Sequence, residues 1–183
     1  MDIIHLSDLH FGDPNAPFQE SKLADSLSKY ILENTENPIL LISGDVTIKG
    51  QRNGYGIAST FFEKLIADGK LNRSNIIACP GNHDIVDNKF SDYDGFIYGL
   101  RRDHEMDFTE HSFRVINVED ITFQLYHLGK CKVPVISARS GNFNQRGYLN
   151  AFNHYNFSNE TLSIDSFAFE NNNHEINIIK LSR

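Results

Sequence analysis

Residues 75–84 read Asn-Ile-Ile-Ala-Cys-Pro-Gly-Asn-His-Asp, an apolar run followed by an amide, an imidazole and a carboxylate. The apolar part, residues 75–79, predicts a buried strand, and the Pro-Gly pair predicts the loop that follows it. Three polar side chains suited to metal binding or proton transfer, Asn82, His83 and Asp84, therefore follow directly on a strand end. This position is the first candidate for a functional site.

Two earlier apolar runs end in the same way. Residues 2–6 read as a strand with apolar residues on both faces, and Asp8 and His10 follow it. Residues 39–43 read as a second strand, and a glycine and then Asp45 follow it. Acidic, imidazole and amide side chains at three strand ends indicate one metal centre along one edge of a sheet.

Helical patterns separate these strands. Apolar residues at helical spacing predict amphipathic helices over 19–33 and 55–68, and a third helix is expected near 93–103. The first half therefore has the order β-α-β-α-β, which implies parallel strands joined by right-handed crossovers. Ligands of such sheets collect beyond the C-terminal ends of the strands, where all three polar clusters lie.

The second half of the chain has a different pattern. Strand-like stretches follow one another without a clear helix between them, at 112–118, 121–128, 133–138, 146–157, 161–169 and 174–181. A run of three asparagines at 171–173 predicts a turn between the last two. No repeat or interdomain linker is visible, so residues 1–183 are expected to form a single α/β domain.

The composition is that of an ordinary globular protein of 183 residues, with 40% hydrophobic residues. The net charge of −7 argues against a basic surface for duplex nucleic acid, although bound divalent cations would reverse the charge of an acidic cleft. Cys79 is interpreted as a buried core residue, and Cys131 has no cysteine partner nearby. With no membrane-spanning run and no signal-like N-terminus, the expected location is the reducing cytoplasm.

Asp8 and His10 are two residues apart, so in an extended chain both side chains point the same way and can reach one ion. Asp45 has two carboxylate oxygens, which allow it to bridge two cations, and Gly44 before it permits a sharp turn. Each pattern alone is also common in surface turns. Their combination on successive strand ends favours the metal centre.

Asn82 and His83 point in opposite directions if the chain is extended there. One can then bind a metal ion through its amide oxygen while the other faces a substrate. Asp84, next to His83, is suited to orient the imidazole and keep it protonated, as a general acid requires. A turn that contains a satisfied histidine is the alternative interpretation of this stretch.

Taken together, these residues resemble the first three motif blocks of the calcineurin-like metallophosphoesterase superfamily: Asp8-x-His10, Gly44-Asp45 and Gly81-Asn82-His83-Asp84. The resemblance is close in the first half of the chain and looser in the second. It implies a four-layer α/β/β/α sandwich that holds two divalent metal ions, usually Mn²⁺, Fe or Zn²⁺. The implied reaction is hydrolysis of a phosphate ester by a metal-bridging hydroxide.

The resemblance also implies a role for each polar residue. Four residues would bind the ions. Asp8 and His10 would bind the first ion, Asn82 would bind the second, and Asp45 would bridge both. His83 would contact the phosphate or protonate the leaving oxygen, and Asp84 would orient His83.

The chain departs from the family pattern in its second half. The family continues with a mid-domain histidine and a Gly-His-x-His block, but this chain contains neither a Gly-His pair nor a His-x-His. His127 is the candidate for an additional metal ligand. Compared with the family pattern, the chain also lacks a strand-helix-strand passage near residues 128–131, so either an internal deletion removed part of the second half or another chain supplies the missing ligands.

Two functional hypotheses follow. The first is a metal-dependent phosphoesterase, with a phosphodiester or nucleotide-type substrate favoured over a phosphoprotein. Aromatic residues near Arg146 would also suit single-stranded nucleic acid, although such spacing is more typical of a core. The alternative is a non-catalytic binding or scaffold module with a phosphoesterase fold. The missing histidine block favours the module, and the intact acidic ligands favour the enzyme.

Overall fold

The computed structural model describes a mixed α/β domain over residues 1–87, 89–102, 141–142, 149–158, 161–173 and 175–182. The strands expected at 112–118, 121–128 and 133–138 lie outside these residues, as do His127 and the expected deletion at 128–131.

Six strands form one sheet in the described part of the chain. Their bounds are β1 Asp2–Leu6, β2 Ile39–Ser43, β3 Ile76–Cys79, β4 Ala151–Ser158, β5 Thr161–Asn172 and β6 Glu175–Lys180. The order across the sheet is β3-β2-β1-β4-β5-β6. The first three strands are parallel, as their helical connections require, and the remaining neighbours are antiparallel.

Among the described residues, three α-helices accompany the sheet: α1 Glu20–Asn34, α2 Arg52–Asp68 and α3 Ser91–Arg101. Helix α1 packs against α2 and β6, and α2 packs against α3. The apolar residues whose spacing predicted α1 lie on the buried side of the helix. Leu23, Leu27 and Ile31 are almost fully buried there.

Alternate residues of the parallel strands face this helical core. Ile4, Leu6, Leu40 and Ile42 have no exposed surface and belong to one cluster with the buried helix residues. Burial of each such side chain contributes about 1.5–3 kcal/mol, so this layer fixes the positions of β1 and β2 relative to each other. The loops that follow β1 and β2 are therefore held at one edge of the sheet.

The predicted elements of the described regions are present, with shifted bounds. The helix expected at 55–68 begins earlier, at Arg52, and the strand expected at 161–169 continues to Asn172. The asparagine run therefore belongs mostly to β5, and the chain turns at Asn173, which has a positive φ of 43°. The predicted α/β class is confirmed. Among the described residues it consists of one sheet with three helices.

The interpretation of Cys79 as a core residue is wrong, because its side chain is exposed. Burial alternates along β3, so that Ile76 and Ala78 face the helices while Ile77 and Cys79 face the other way. Neighbouring protein atoms still shield the thiol in part from water, and this loss of solvation raises the pKa of Cys79. Among the helices of the described ranges, none combines the length and apolar composition needed to cross a bilayer.

Candidate metal centre

Asp8, His10 and Asp45 meet at the C-terminal edge of the parallel strands. Strands β1 and β2 pair in parallel with Leu6 opposite Ile42, so the loops after them leave the sheet side by side. One ligand atom from each of the three side chains lies within 4.8 Å of the others. The structure therefore brings together two of the three sequence clusters in a group that can hold a metal ion.

The backbone of all three residues is left-handed, with φ values of 50° at Asp8, 48° at His10 and 50° at Asp45. Such conformations cost side-chain-bearing residues on the order of 1–3 kcal/mol each and cluster at functional sites. Asp8 and His10 therefore do not follow an extended chain, and the reasoning from strand alternation was wrong. Their side chains converge because the loop turns at each of them.

Hydrogen bonds between the two loops hold this strained backbone. The amide of Asp8 donates to the carbonyl of Gly44 at 3.2 Å, and the amide of His10 donates to the carbonyl of Asp45 at 3.0 Å. The Phe11 amide then donates to Val46 at 2.9 Å. The loops thus continue the pairing of β1 and β2 beyond the sheet, and this fixes the spacing of the three polar side chains.

The donor atoms are spaced for a shared ion. Nε2 of His10 lies 3.9 Å from Oδ1 of Asp8 and 3.9 Å from Oδ2 of Asp45, beyond ordinary hydrogen-bond length. Two donors that each bind an ion at about 2.1 Å can be at most about 4.2 Å apart. An imidazole nitrogen between two carboxylates is also a donor set that transition-metal ions favour. The residues present therefore fit a divalent metal ion.

The electrostatics of Asp8 suit a metal ligand. Burial raises the pKa of the Asp8 carboxyl, but side-chain hydrogen bonding from His10 and Ser7 and the electrostatic effect of the nearby His10 and His83 rings lower it. The net result is a pKa below the usual value for aspartate. Asp8 is therefore ionised at neutral pH, as metal binding requires.

Two glycines allow the third strand end to approach. A Cβ atom on Gly81 would overlap Oδ1 and the backbone nitrogen of Asp45, and one on Gly44 would lie 3.0 Å from the Cα of Gly81. Gly44 also has a φ of 91°, which side-chain-bearing residues rarely adopt. The loop after β3 can therefore lie directly against Asp45.

His83 lies beside the three-residue cluster. Its backbone amide donates to Oδ1 of Asp45 at 2.9 Å, and its ring lies edge-on to the His10 ring with centroids 4.9 Å apart. Its Nδ1 is 2.8 Å from the carbonyl oxygen of Ile48. Because a carbonyl can only accept, Nδ1 carries the proton of that bond, and Nε2 is the ring atom left for chemistry.

Asn82 and His83 belong to a 3₁₀ turn, Asn82–Asp84, rather than to an extended segment. The expectation that their side chains point in opposite directions from a strand is therefore wrong. Asn82 begins the turn and is exposed, whereas His83 is partly buried against the loop after β2.

The Asp84 carboxylate is buried among backbone amides and does not lie against the His83 ring as the sequence predicted. Its side chain is 1% exposed, and its carboxylate accepts hydrogen bonds from four donors: the amides of Val46 (3.1 Å), Thr47 (3.2 Å) and Gly81 (3.0 Å), and the Tyr55 hydroxyl (3.2 Å). Burial raises the pKa of Asp84, the three amides lower it, and the charge of Asp45 raises it again, with a net increase.

The Ile48 carbonyl thus takes the place that the sequence predicted for Asp84 as the hydrogen-bond partner of the His83 ring. In the described part of the chain, Asp84 ties the loop after β2 to the loop after β3, and the Ile48 carbonyl orients the His83 ring. Asp84 acts on the site through the backbone and does not touch the imidazole through a hydrogen bond.

Three residues that support the site were not predicted from the sequence: Ser7, Ile48 and Tyr55. Ser7 lies next to Asp8, and a hydroxyl beside a candidate metal-binding carboxylate is a signal that the sequence offers. Tyr55 lies on the buried side of α2, and a hydroxyl in such a position indicates a buried hydrogen-bond partner. Ile48 acts through its carbonyl, for which the sequence offers no signal.

Comparison with known proteins supports the geometry. The family model described as calcineurin-like phosphoesterase matches residues 1–179, which is nearly the whole chain. No curated protein matches the chain. Since the match includes the three loops of the metal centre and extends through the antiparallel half of the sheet, the chain belongs to the calcineurin-like phosphoesterase family.

Proposed function

We propose that this protein hydrolyses phosphate esters by means of two divalent metal ions held at the edge formed by β1, β2 and β3. The family supports metal-dependent phosphoester hydrolysis in general. The observation that supports an active centre in this chain is the convergence of Asp8, His10 and Asp45 on left-handed backbone. Strained conformations at three ligand residues persist where they serve a site.

Each polar residue has a proposed part in binding. Asp8 and His10 would hold one ion, Asp45 would contribute to both, and Asn82 would offer its amide oxygen to the second. When bound, such ions lower the pKa of water and neutralise charge on the phosphoryl oxygens. The donor set contains imidazole and carboxylate but no thiolate, which supports Mn²⁺, Fe or Zn²⁺.

His83 is the proposed general acid. The hydrogen bond to the Ile48 carbonyl fixes the ring through Nδ1 and leaves Nε2 out of that bond, on a ring that lies against His10. From there the protonated ring can contact a phosphate oxygen or donate to the leaving oxygen. Asp84 is proposed only as a positioning residue, because its carboxylate is used by backbone amides.

A phosphodiester or nucleotide-type substrate is proposed, with single-stranded nucleic acid as one form of it. Asn82, next to His83, is exposed, and so is Lys49, which follows Ile48, so an external substrate has access. We also propose a reducing compartment, the cytoplasm, because Cys79 is a free, exposed thiol.

A non-catalytic phosphoesterase-fold module is the second candidate. The observation that favours it is the absence of any Gly-His pair or His-x-His from the sequence, so later histidine ligands of the family have no counterpart in those motifs. A module of this kind would bind a partner through the same fold without turnover.

The experiment that separates the two is hydrolysis of an aryl phosphodiester and an aryl phosphomonoester with added Mn²⁺. We expect turnover in the wild type and its loss in Asp45→Ala, which removes the central ligand. His83→Ala should keep its metal but lose most of its turnover. Glu33→Ala, an exposed acidic residue on α1, is the control and should match the wild type.

Outcomes of this experiment are distinct. Faster cleavage of the diester than of the monoester would support the proposed substrate class. Turnover that is equal in the wild type, Asp45→Ala and His83→Ala would come from a contaminant and would reject the enzymatic proposal. Metal binding without turnover would favour the module.

A further inference from the structure

We infer that Ser7 is a positioning residue for metal binding, because its hydroxyl determines which oxygen of Asp8 faces the metal centre. The inference rests on the proposed function, since Asp8 must be a metal ligand for Ser7 to have this part. Ser7 is 7% exposed and follows the last residue of β1 directly.

The hydroxyl of Ser7 lies between the Asp8 carboxylate and the last residue of β2. Its Oγ lies 2.5 Å from Oδ2 of Asp8 and 3.0 Å from the carbonyl oxygen of Ser43. A hydroxyl has one proton, and the charged carboxylate is the stronger acceptor. The short distance to Asp8 agrees with this choice, because hydrogen bonds to carboxylates are about 2.5–2.7 Å long.

The backbone on either side of this contact is held independently of it. The amide of Asp8 donates to Gly44, and from the other side the amides of Gly141 and Asn142 donate to the carbonyls of Ser7 (2.7 Å) and Asp8 (3.2 Å). The remaining freedom of Asp8 is therefore rotation of its side chain. The Ser7 hydroxyl acts on that rotation by holding Oδ2.

Fixing Oδ2 turns the other oxygen toward the site. Oδ1 is the Asp8 atom that lies 3.9 Å from Nε2 of His10, on the side where Asp45 also lies. Ser7 thus makes Asp8 a ligand through a single oxygen. Hydrogen-bond partners of this kind orient metal ligands, and their loss typically weakens metal affinity about 10–100-fold.

Mn²⁺ binding to the full-length chain tests the inference, with free Mn²⁺ measured by electron paramagnetic resonance. Ser7→Ala should weaken affinity about 10–100-fold, and Ser7→Thr, which keeps the hydroxyl, should restore it. Ser26→Ala is the matched control. Ser26 on α1 donates to the carbonyl of Ile176 at 2.5 Å, a bond of equal length remote from the centre.

Circular dichroism without metal establishes that each variant is folded. A folded Ser7→Ala that binds Mn²⁺ as tightly as the wild type overturns the inference and leaves the proposed function intact. Equal weakening in Ser7→Ala and Ser26→Ala also overturns it, because the cause would then be general destabilisation. A wild type that binds no Mn²⁺ rejects the proposed function, and the inference with it.

Should Ser7→Ala not fold, Ser7→Cys takes its place with the same two outcomes. A thiol is close in size to the hydroxyl but is a weak donor, and Mn²⁺ prefers oxygen ligands to sulfur. Weaker Mn²⁺ binding in folded Ser7→Cys supports the inference, and unchanged binding overturns it.

Discussion

The residues that can bind a metal ion in this protein are also residues with a left-handed backbone. Asp8, His10 and Asp45 each have a φ near 50° and each belong to the cluster of potential ligands. The interloop hydrogen bonds of Asp8 and His10 offset part of the backbone cost. Because the loops of the site pack closely at single residues, replacing one small group there should change stability or metal affinity strongly.

Gly81→Ala is the first prediction at the residue scale. The new methyl group would overlap Asp45, so the loops must move apart, and overpacking of this kind costs about 1–3 kcal/mol of unfolding free energy. Mn²⁺ affinity should fall as well, because Asp45 is displaced. Urea unfolding and Mn²⁺ titration measure the two effects.

Gly56→Ala is the control for this substitution. Gly56 lies within α2, and a Cβ atom there meets nothing within 4 Å, so alanine should stabilise the protein by about 0.5–1 kcal/mol. If Gly81→Ala behaved like Gly56→Ala, the close approach of the two loops would be wrong.

Asp84→Asn is the second residue-scale prediction. An asparagine would point an N–H group at amides that now donate to a carboxylate, and breaking a buried charged network costs about 3–5 kcal/mol. Guanidinium unfolding measures the loss. Tyr55→Phe removes a single hydrogen bond to Asp84 and should cost only about 1 kcal/mol. Equal stability of Asp84→Asn and wild type would contradict the role assigned to Asp84.

Strands β1, β2 and β4 are joined by a polar network on the sheet face opposite the helical core. Nδ1 of His5 lies 2.9 Å from the Tyr155 hydroxyl, and Nε2 lies 2.7 Å from the Ser43 hydroxyl. Asn153 donates to the Tyr155 oxygen, so the tyrosine proton points to His5. The His5 side chain is buried.

This network predicts a pH dependence of stability. Burial lowers the pKa of His5 in the folded state below its ordinary value of 6.5, so the unfolded chain takes up this proton first. The stabilising contribution is complete above pH 6.5 and is lost as the pH falls through that value. Thermal unfolding between pH 7.5 and 5.5 should therefore become easier in the wild type.

His5→Gln removes the titrating group and should flatten this part of the profile, whatever its effect on stability at pH 7.5. The aspartates with lowered pKa, Asp2 and Asp8, respond nearer their ordinary value of 3.8, outside the pH window used. A slope that is identical in wild type and His5→Gln would show that another group causes the dependence.

At the scale of the whole molecule, metal binding should be linked to stability. An ion held by loops after β1 and β2 binds the folded chain, and at about 100 times its dissociation constant it adds about 2.7 kcal/mol. We expect Mn²⁺ to raise the melting temperature of the wild type but not of Asp45→Ala. Scanning calorimetry measures the shift, and an equal shift in both proteins would place the bound ion elsewhere.

Much of this arrangement was predictable from sequence. The β-α-β-α-β order and the polar residues after each strand follow from local apolar periodicity, and parallel pairing places those residues at one edge. The left-handed turns at Asp8 and His10 and the amide partners of Asp84 were not predictable, because contacts between distant loops produce them. The exposure of Cys79 likewise depends on β3 having one uncovered face.

The most direct test of the metal centre is anomalous diffraction from crystals grown with Mn²⁺. We expect an anomalous peak at about 2.0–2.3 Å from Oδ1 of Asp8, Nε2 of His10 and a carboxylate oxygen of Asp45. A second peak should lie between Asp45 and Asn82. Crystals that bind Mn²⁺ only at other places, with no peak among Asp8, His10 and Asp45, would contradict it.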